Sequence, residues 1–399
     1  MKHYHFIGVC GVSMSSLAKI LVAGGDCVSG SDQNLSGHHA KNINRKIDFV
    51  IINGAIDEKN PELKRARRLF EKYGKPEIIT RDLLLAQISN QYTYRICVAG
   101  CHGKSTTTAM IGRIFVEAGK NPTIHNGVKD GLRIGGKEYF ITEACEFKRS
   151  FLSLWPTVAV ITNVDADHLD CYKDLDDIKR TFREFEESAN FAVKHETDIV
   201  ARDLRLEADG KYSFVCDFDP NKYGDIIDDF RIKLNVYGRH NVDNAILAVK
   251  TAFLCGIKTE IIKKAIESYK GIDRRFEFIS SNLVSDYAHH PNEIKTTIDV
   301  ANTLFADKNY VIVFQPHTFS RTKFLFKEFS DVLSAVKNLI IFKTYSAREK
   351  KQQGLSGFEL ARAIKKTYCA TVSVLKKRTK RYDAVILCGA GNLPSFFHL

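Results

Sequence analysis

The sequence lacks long apolar runs. No stretch approaches the roughly eighteen uninterrupted apolar residues that a membrane-spanning helix requires. The N-terminal segment enters a glycine turn at Gly8 after one short strand, which fits neither a secretion signal nor a membrane anchor. We therefore expect a cytoplasmic protein with no membrane partner.

Paired cysteine motifs are lacking too. The ten cysteines are scattered without a Cys-x-x-Cys pair, and Cys97, Cys216 and Cys388 lie inside apolar segments. This distribution predicts reduced core residues rather than disulfides. Cys101 lies in a glycine turn, where a helix N-terminus can lower the pKa of a thiol. Packing of the loop also explains its position.

A pattern typical of nucleic-acid binding is also absent, although the formal net charge is +12. The densest basic run, KKRTKR at residues 376–381, lies between two predicted strands and has no interleaved aromatic residues. We interpret it as a solvated face and expect no nucleic-acid partner. A general positive field favours anionic small molecules.

Strands alternate with helical stretches throughout the 399 residues, which are too many for one compact core. The alternation predicts an α/β architecture with mostly parallel sheets. It begins anew in three sections of the chain, and no internal repeat relates them.

In the first section, a turn from Gly8 to Gly11 joins a strand to a helix, and a second strand ends at Ser31 and Asp32. This order resembles half of a dinucleotide-binding fold, in which a helix N-terminus faces a pyrophosphate. The full Gly-x-Gly-x-x-Gly pattern is absent, because Ser13 stands where the third glycine belongs. A plain strand-turn-helix unit is the alternative.

The second section contains the sequence VAGCHGKSTTT at residues 98–108, between an apolar strand and a helical stretch. Gly100 and Gly103 permit a tight turn, Lys104 adds a charge for the outer phosphates, and the Ser105 hydroxyl can ligate Mg²⁺. Val98 occupies the usual place of the first glycine. The pattern predicts a phosphate-binding loop, and an ordinary turn with a solvated lysine is the alternative.

Two further strands of this section, predicted at residues 139–144 and 158–164, end in acidic and polar residues. Ligands of open α/β sheets bind at this edge, where the phosphate-binding loop also lies. Ser105 and Glu143 form a sensible pair of oxygen donors for Mg²⁺. His168 is a weaker candidate, because imidazole suits Mg²⁺ poorly.

The third section has predicted strands at residues 283–287, 310–314, 339–343, 372–375 and 384–387. The first of these ends in Asp286, Tyr287, His289 and His290, and Arg321 follows the second. The forked donors of Arg321 suit a carboxylate. The strand-end side chains suggest another site, and strand capping is the alternative for the two histidines.

Ten motifs in the chain are similar, in their order, to those of the Mur ligases and in particular to the alanine-adding branch of that family. They extend from residue 5 to residue 392, and DYAHHPNE and FQPHTFSRT are the most discriminating. The motifs are HFIGVCGVSMS, AGCHGKSTTT, TEACEF, ITNVDADHLD, YGRHNVDNA, GIDRRFE, DYAHHPNE, FQPHTFSRT, YSARE and CGAGN.

The resemblance implies three α/β domains: a Rossmann-like UDP-sugar domain at residues 1–91, a central P-loop ATPase-type domain at 92–271 and a Rossmann-like acceptor domain at 272–399. It implies an ATP-dependent ligase of peptidoglycan precursor synthesis, which joins L-alanine to UDP-N-acetylmuramate through an acyl phosphate. The implied cofactors are ATP and Mg²⁺ or Mn²⁺. We expect a monomer or a weak homodimer.

The resemblance also implies the site residues. The donor residues are Gly8, Gly11, Met14, Ser15, Ser31 and Asp32. The ATP residues are Gly100, Cys101, His102, Gly103, Lys104, Ser105, Thr106, His240, Asn241, Asn244, Arg274 and Asp286. The metal ligands are Ser105, Glu143 and His168. The amino-acid contacts are Tyr287, His290 and Arg321, and the catalytic residues are Lys104, His168, His289 and Arg321.

Some positions depart from the family pattern. Thr318 stands where some members have an arginine that contacts the amino acid. The carbamylated lysine of other Mur ligases is missing, since Phe182 and Arg183 occupy the place about fifteen residues after His168, in agreement with the alanine-adding branch. The chain is short, notably at residues 32–52, which bears on donor specificity.

Two alternatives stay open. A recycling ligase of the same family joins a ready-made peptide to the same UDP-sugar. A regulatory nucleotide-binding protein with decayed chemistry is the other, although Lys104, Ser105, Glu143 and His168 are all present. The choice among alanine, glycine and serine stays open as well, because one methyl or hydroxyl group changes binding by only about 1–3 kcal/mol.

Overall fold

The structure is a computed structural model that describes residues 1–165, 171–195, 198–223, 229–347, 349 and 354–397. The chain forms two compact units. The first comprises Met1–Val200, Cys216–Phe230 and Asp243–Ser268, and the second comprises Ala201–Val215, Arg231–Val242 and Tyr269–Leu399. Among the described helices, none has both the length and the apolar character needed to cross a bilayer.

A four-stranded parallel sheet opens the first unit. Its elements are β1 (His3–Ile7), α1 (Val12–Ala23), β2 (Cys27–Ser31), β3 (Phe49–Ile52), α2 (Pro61–Tyr73), β4 (Glu77–Thr80) and α3 (Arg81–Ser89). The strand order is β2-β1-β3-β4. The strand, turn and helix predicted around Gly8 are confirmed.

A six-stranded sheet follows in the same unit. Its elements are β5 (Tyr94–Ala99), α4 (Lys104–Glu117), β6 (Thr123–His125), β7 (Leu132–Arg133), β8 (Tyr139–Glu143), β9 (Val158–Ile161), α5 (Leu175–Glu187) and β10 (Phe191–Val193). The order is β10-β9-β5-β8-β6-β7, and only the β6–β7 pair is antiparallel. The strands β5, β8 and β9 therefore end at one edge of the sheet.

Local sequence explains where several of these helices begin and end. The Asn60 side chain accepts hydrogen bonds from the backbone N–H groups of Glu62 and Leu63, and Pro61 occupies the first position of α2. The same helix ends at Gly74, whose φ of 69° suits glycine. Asp174 caps α5 by accepting from the Asp177 N–H.

The remaining elements between residues 199 and 267 are β11 (Ile199–Leu206), β12 (Lys211–Phe218), α6 (Pro220–Tyr223), β13 (Phe230–Tyr237), α7 (His240–Leu254) and α8 (Thr259–Glu267). Most residues of the three strands belong to the second unit, where the strand order is β11-β12-β13. The helix α8 and most of α7 belong to the first unit.

A second six-stranded sheet organises the rest of the second unit. Its elements are β14 (Glu277–Ser280), β15 (Leu283–Asp286), α9 (Pro291–Leu304), β16 (Tyr310–Phe314), α10 (Phe319–Phe324), α11 (Phe326–Ser334), β17 (Leu339–Phe342), α12 (Gly357–Ala363), β18 (Thr367–Cys369), α13 (Val372–Thr379) and β19 (Ala384–Cys388). The order is β14-β15-β19-β16-β17-β18, parallel except for the β14–β15 pair.

Buried apolar side chains hold each sheet to its helices. In the first unit, one cluster extends from Phe6 and Leu17 of the first sheet layer to Phe140 and Phe185 of the second. A separate cluster on the other face of the first sheet includes Leu63 of α2. Burial of all of β9 and of β5 from Ile96 to Ala99 fits strands that are covered on both faces.

All ten cysteines lie in the described part of the chain and are free thiols, as predicted. Cys97, Cys216 and Cys388 are buried, but Cys10 and Cys27 are exposed, so the prediction of core residues was wrong for those two. Cys27 is the first residue of β2, and Cys10 lies in the turn before α1.

One strand prediction was wrong. Residues 372–375 form the first half of helix α13, and the preceding strand is β18, which the sequence did not reveal. The two valines of this segment are β-branched and suggested a strand, but Leu375 and Thr379 share one buried helix face four residues apart. The exposed basic run occupies the end of α13, where the helix dipole favours cations.

This assignment predicts a difference between two adjacent apolar residues. Leu375 is fully buried in a cluster with Leu387 and Leu393, whereas the neighbouring Val374 is 45% exposed. Leu375→Ala should lower the free energy of unfolding by about 2–5 kcal/mol, and Val374→Ala by less than about 1 kcal/mol. Urea denaturation followed by circular dichroism measures both. Equal losses would contradict the helical register.

Candidate active site

The turn between β5 and α4 has room for no side chain at either glycine. Gly100 has φ of 141° and Gly103 has φ of 81°, both in the region that favours glycine. A Cβ atom at Gly100 would collide with the Thr162 hydroxyl, and one at Gly103 with the Asn244 amide. Both glycines therefore let the chain turn tightly into the N-terminus of α4, where unpaired N–H groups favour anions.

Lys104 is the first residue of α4, and its ammonium group folds back over the turn. Its Nζ donates to the Gly100 carbonyl at 2.5 Å and lies 2.9 Å from a carboxylate oxygen of Glu146, which is almost fully buried. Burial lowers the pKa of Lys104, but the charge of Glu146 outweighs it and raises the pKa above its usual value. The lysine therefore stays charged at the loop.

Oxygen donors lie beside the loop, where Mg²⁺ was predicted. Glu143 ends β8, and its carboxylate accepts from the Gly127 N–H at 2.6 Å, while Ser105 is held through its carbonyl by the Asn126 side-chain amide at 2.9 Å. The Asn126 Oδ1 is buried without a hydrogen-bond partner among the described residues. A Ser105 hydroxyl and a Glu143 carboxylate are the hard donors that Mg²⁺ prefers, so these residues fit the ion.

His168, the third predicted metal ligand and a predicted catalytic residue, lies outside the described residues. Asp165, the last described residue before it, hydrogen-bonds with Cys101 in both directions, with its carbonyl and its N–H each 3.2 Å from the sulfur. This contact accounts for the position of Cys101 by packing. The N–H of His102 donates to the Asn163 side chain at 2.9 Å, and Thr106 is buried on α4.

Asn244 of α7 lies against the phosphate-binding loop. Its Oδ1 accepts from the Thr107 hydroxyl at 3.2 Å, on the side of the loop that Gly103 leaves open. In the second unit, the Asn241 amide donates to the Tyr237 carbonyl at 2.7 Å, and the His240 ring packs against Gly238. The structure thus brings Asn244 to the loop.

Several of the residues that were predicted to bind the UDP-sugar lie near the N-terminus of α1. The N–H groups of Gly8 and Val9 both donate to the Ser31 carbonyl, at 2.7 and 3.1 Å, so the turn is fixed to the end of β2. Asp32 accepts from the Cys10 N–H at 3.1 Å, and Gly11 caps α1 without a side-chain hydrogen bond. The first turn of α1 therefore has N–H groups available for an anion.

Three other residues that were predicted to bind the UDP-sugar have engaged or covered side chains. Met14 is buried in the core, and the Ser15 hydroxyl donates to the Val12 carbonyl at 2.9 Å. Ser31 is only 1% exposed, and its hydroxyl donates to Glu62 at 2.5 Å. Ser31 therefore lies in the wall of this region rather than on its surface.

Glu62 is a fully buried carboxylate that the sequence reading missed. Besides Ser31, it accepts from the Asn42 amide at 2.6 Å and the His39 N–H at 3.0 Å, and it lies 3.4 Å from the His5 ring. Burial raises its pKa, but these hydrogen bonds outweigh burial and lower the pKa to about 2. The only sequence signal was the Asn-Pro-Glu order at the start of a helix.

In the second unit, polar residues gather where β15, β16 and β19 end. Asp286 accepts from the Thr297 hydroxyl at 2.7 Å, and burial raises the pKa of its carboxyl group. The Tyr287 ring is approached by the guanidinium groups of Arg274 and Arg275, at 4.9 and 5.3 Å from its centroid. Arg274 also donates to the Gly389 carbonyl.

The two adjacent histidines after Tyr287 have different environments. The His289 Nδ1 lies 3.1 Å from both the Tyr287 carbonyl and the Glu293 carboxylate, so that nitrogen must carry a proton. The buried His290 caps α9, because its side chain accepts from the Asn292 N–H at 3.3 Å. His290 therefore has a capping role, but it caps a helix and not a strand as the sequence suggested.

His317 lies in the motif FQPHTFSRT but was not among the predicted site residues. Its ring stacks on Tyr345 at 5.6 Å and faces His289 at 6.0 Å, and its carbonyl accepts from Arg321 at 3.4 Å. Burial, followed by the positive charges of His289 and Arg321, lowers the pKa of His317 to about 4. The ring is therefore neutral near pH 7.

Three family models match consecutive parts of this chain. They are the Mur ligase family catalytic domain at residues 3–92, the Mur ligase middle domain at 98–252 and the Mur ligase glutamate ligase domain at 274–393. Curated relatives match it over nearly its whole length at 36% identity. The chain belongs to the Mur ligase family.

Two of these relatives are UDP-N-acetylmuramate--L-alanine ligases, from Clostridium acetobutylicum and Agathobacter rectalis. Each match covers 98% of this chain and 96% of the relative. The first alignment spans 452 positions, more than the 399 residues here, so this Mur ligase is shorter than that relative, as expected.

Solved structures share the fold. The UDP-N-acetylmuramate-alanine ligase of Thermotoga maritima has a TM-score of 0.82 at 22% identity, with 99% of this chain and 97% of that chain covered. A murein peptide ligase from Psychrobacter arcticus has a TM-score of 0.71 at 21% identity, with the same coverage. These likenesses confirm the predicted three-domain α/β fold.

The buried Glu62 predicts a specific dependence of stability on pH. Because its pKa is depressed in the folded state, its stabilisation is present above the unfolded pKa near 4.5 and is lost as the pH falls towards 2. Glu62→Gln should therefore cost about 3 kcal/mol of unfolding free energy at pH 7, and this difference from the wild type should shrink to about 1 kcal/mol near pH 2.5. Urea denaturation at several pH values measures it.

Glu58→Gln is the matched control, because Glu58 is a largely exposed carboxylate that pairs with Arg67 on the surface. It should leave both the stability and its pH dependence nearly unchanged. Parallel pH profiles for Glu62→Gln and the wild type would contradict the depressed pKa.

Proposed function

We propose that this Mur ligase joins L-alanine to UDP-N-acetylmuramate at the expense of ATP, the first amino-acid addition of peptidoglycan precursor synthesis. The observation that carries the proposal is 36% identity to the alanine ligases over 98% of the chain. The glycine turn with its charged Lys104 supports the ATP chemistry. The reaction takes place in the cytoplasm, with the protein as a monomer or a weak homodimer.

The proposal divides the chain into a donor domain at residues 1–91, an ATP domain at 92–271 and an acceptor domain at 272–399. The family models at 3–92, 98–252 and 274–393 support these bounds. In the donor domain, Gly8 and Gly11 hold the pyrophosphate at the α1 N-terminus, and Asp32 lies next to it. Glu62 keeps the Ser31 strand end in place.

ATP binds at the phosphate-binding loop, where Lys104 contacts the outer phosphates. Ser105 and Glu143 would hold Mg²⁺, with His168 as a further ligand, and the ion would supply positive charge beside the phosphates. Asn244 lies beside the loop and is suited to the adenine side of the nucleotide. The muramyl carboxylate attacks the γ-phosphorus while the bond to ADP breaks, which gives ADP and an acyl phosphate. The amine of L-alanine then attacks the acyl carbon, and inorganic phosphate leaves as the amide bond forms.

The acceptor domain supplies the groups for the amine. Because the His289 Nδ1 carries a proton, its Nε2 is free of one in the neutral ring and can accept the proton that the amine of L-alanine loses. Arg321 binds the carboxylate of the amino acid, and Tyr287 and His290 shape the site. The neutral His317 lies beside these residues and adds no positive charge to the site.

The proposal predicts the substrate dependence of phosphate release. Purified protein with ATP, Mg²⁺ and UDP-N-acetylmuramate should release inorganic phosphate when L-alanine is added, and very little without it, because the amine completes the turnover. A coupled phosphate assay measures the rate. Release with an alanine-led tripeptide but not with alanine would contradict the proposal and indicate a recycling ligase.

Lys104→Ala tests the loop separately from the donor site. The variant should lose at least about a hundredfold in turnover, because one charged group on the transferred phosphoryl is removed. Its affinity for UDP-N-acetylmuramate, measured by calorimetry, should remain close to the wild-type value, because the donor binds elsewhere. Lys264→Ala, which removes an exposed lysine of α8, is the control. Wild-type turnover of Lys104→Ala would refute the loop assignment.

A further inference from the structure

The segment after β6 contacts two proposed ATP-site residues. Asn126 donates from its side chain to the Ser105 carbonyl at 2.9 Å. The next residue, Gly127, donates its N–H to the Glu143 carboxylate at 2.6 Å, and a Cβ at Gly127 would lie only 3.0 Å from that oxygen. The path of this segment therefore sets the position of both proposed metal ligands.

His125, the residue before Asn126, extends these contacts to the donor helix. Its Nδ1 lies 2.9 Å from the Thr142 hydroxyl, and its Nε2 lies 3.1 Å from the Ser13 hydroxyl in the first turn of α1. The ring is only 2% exposed. Burial, followed by the charge of Arg81, lowers the pKa of His125 to about 4, so the ring is neutral near pH 7.

The direction of each hydrogen bond follows from the number of protons. The Thr142 hydroxyl donates to the Glu143 carbonyl at 3.0 Å, so its oxygen must accept from the Nδ1 of His125. A neutral imidazole with a proton on Nδ1 has a lone pair on Nε2. Ser13 must therefore donate to that nitrogen.

Ser13 is the residue that breaks the glycine pattern of the first turn. A glycine at this position would leave the Nε2 of His125 without its partner. The Ser13 oxygen is also approached by the Arg81 guanidinium at 3.5 Å, which is consistent with a hydroxyl that donates elsewhere. The serine that replaces the glycine is therefore joined to the buried His125 by a hydrogen bond.

We propose that His125 is a positioning residue that couples donor binding at α1 to the placement of Glu143 at the ATP site. The proposal rests on the proposed function, because that function assigns the donor to α1 and the metal to Glu143. A shift of α1 is transmitted through Ser13 and His125 to Thr142 and, along the same segment, to Asn126 and Gly127. Coupling of this kind is reciprocal. If the UDP-sugar tightens the binding of ATP by some factor, ATP must tighten the binding of the UDP-sugar by the same factor.

The first test is spectroscopic and independent of turnover. Ring ¹⁵N chemical shifts of the full chain, assigned to His125 by their loss in His125→Asn, should show a neutral ring protonated on Nδ1 and no titration between pH 6 and 8. A ring protonated on Nε2, or a charged ring at pH 7, would overturn the proposal.

The second test measures coupling. In the wild type, a non-hydrolysable ATP analogue with Mg²⁺ should tighten the binding of UDP-N-acetylmuramate by about tenfold, within the usual range of coupling. Ser13→Ala should reduce that factor to about one. His125→Asn should do the same, because an amide nitrogen can replace Nδ1 but leaves Ser13 without an acceptor. Isothermal titration calorimetry gives the affinities.

The two variants should not be additive. If both break one connection, the double variant should show the coupling of either single variant. Ser16→Ala is the matched control, since its hydroxyl donates to the Val12 carbonyl of the same helix and touches no part of the connection. It should keep the tenfold coupling. Coupling retained in Ser13→Ala, or additive losses in the double variant, would overturn the proposal.

These outcomes are distinct from a failure of the proposed function. If the wild type neither binds UDP-N-acetylmuramate nor releases phosphate with L-alanine, the proposed function fails while the ring ¹⁵N shifts still report on His125. If the wild type is active and its variants keep full coupling, only the role of His125 is refuted. Ser13→Ala changes one partly buried hydroxyl, so it covers the case in which His125→Asn does not fold.

Discussion

The close approach of the β5–α4 turn to its neighbours is the constraint on which the candidate site depends. Because Gly100 and Gly103 carry no Cβ, Thr162 and Asn244 can pack directly on the backbone of the turn. This packing fixes the start of α4, and with it the positions of Lys104 and Ser105. A side chain at either glycine would move the loop away from β9 or α7, and the charged groups would move with it.

Charge at the loop is balanced inside the protein. Glu146 is buried beside Lys104, so the ammonium group keeps its charge without a bound phosphate. A buried lysine without such a partner would lose its proton, because desolvation disfavours the charged form. Phosphates that bind here meet a lysine that is already charged and held over the turn, and less reorganisation is then needed on binding.

The sequence predicted the parts of the fold that depend on local pattern. The first strand-turn-helix unit and the strands β5, β16 and β19 followed from apolar runs and glycine turns. Helix α13 was missed, because two valines gave a strand pattern and only burial of Leu375 against other elements decides otherwise. Glu62 and Asn126 were missed for the same reason, since their importance lies in contacts with residues distant in the sequence.

Ser13 shows how a departure from a motif can be explained by tertiary contacts. From the sequence, a serine in the place of the third glycine only weakened the evidence for a nucleotide turn. In the structure its hydroxyl is directed to a neutral histidine, which in turn donates to Thr142 beside Glu143. The Ser13 hydroxyl, the neutral His125 ring and the Thr142 hydroxyl each have one proton to donate. The hydrogen bond from Thr142 to the Glu143 carbonyl therefore sets the direction of the other two hydrogen bonds. These hydrogen bonds therefore connect the turn before α1, where we propose that the UDP-sugar binds, to the strand end that carries the proposed metal ligand.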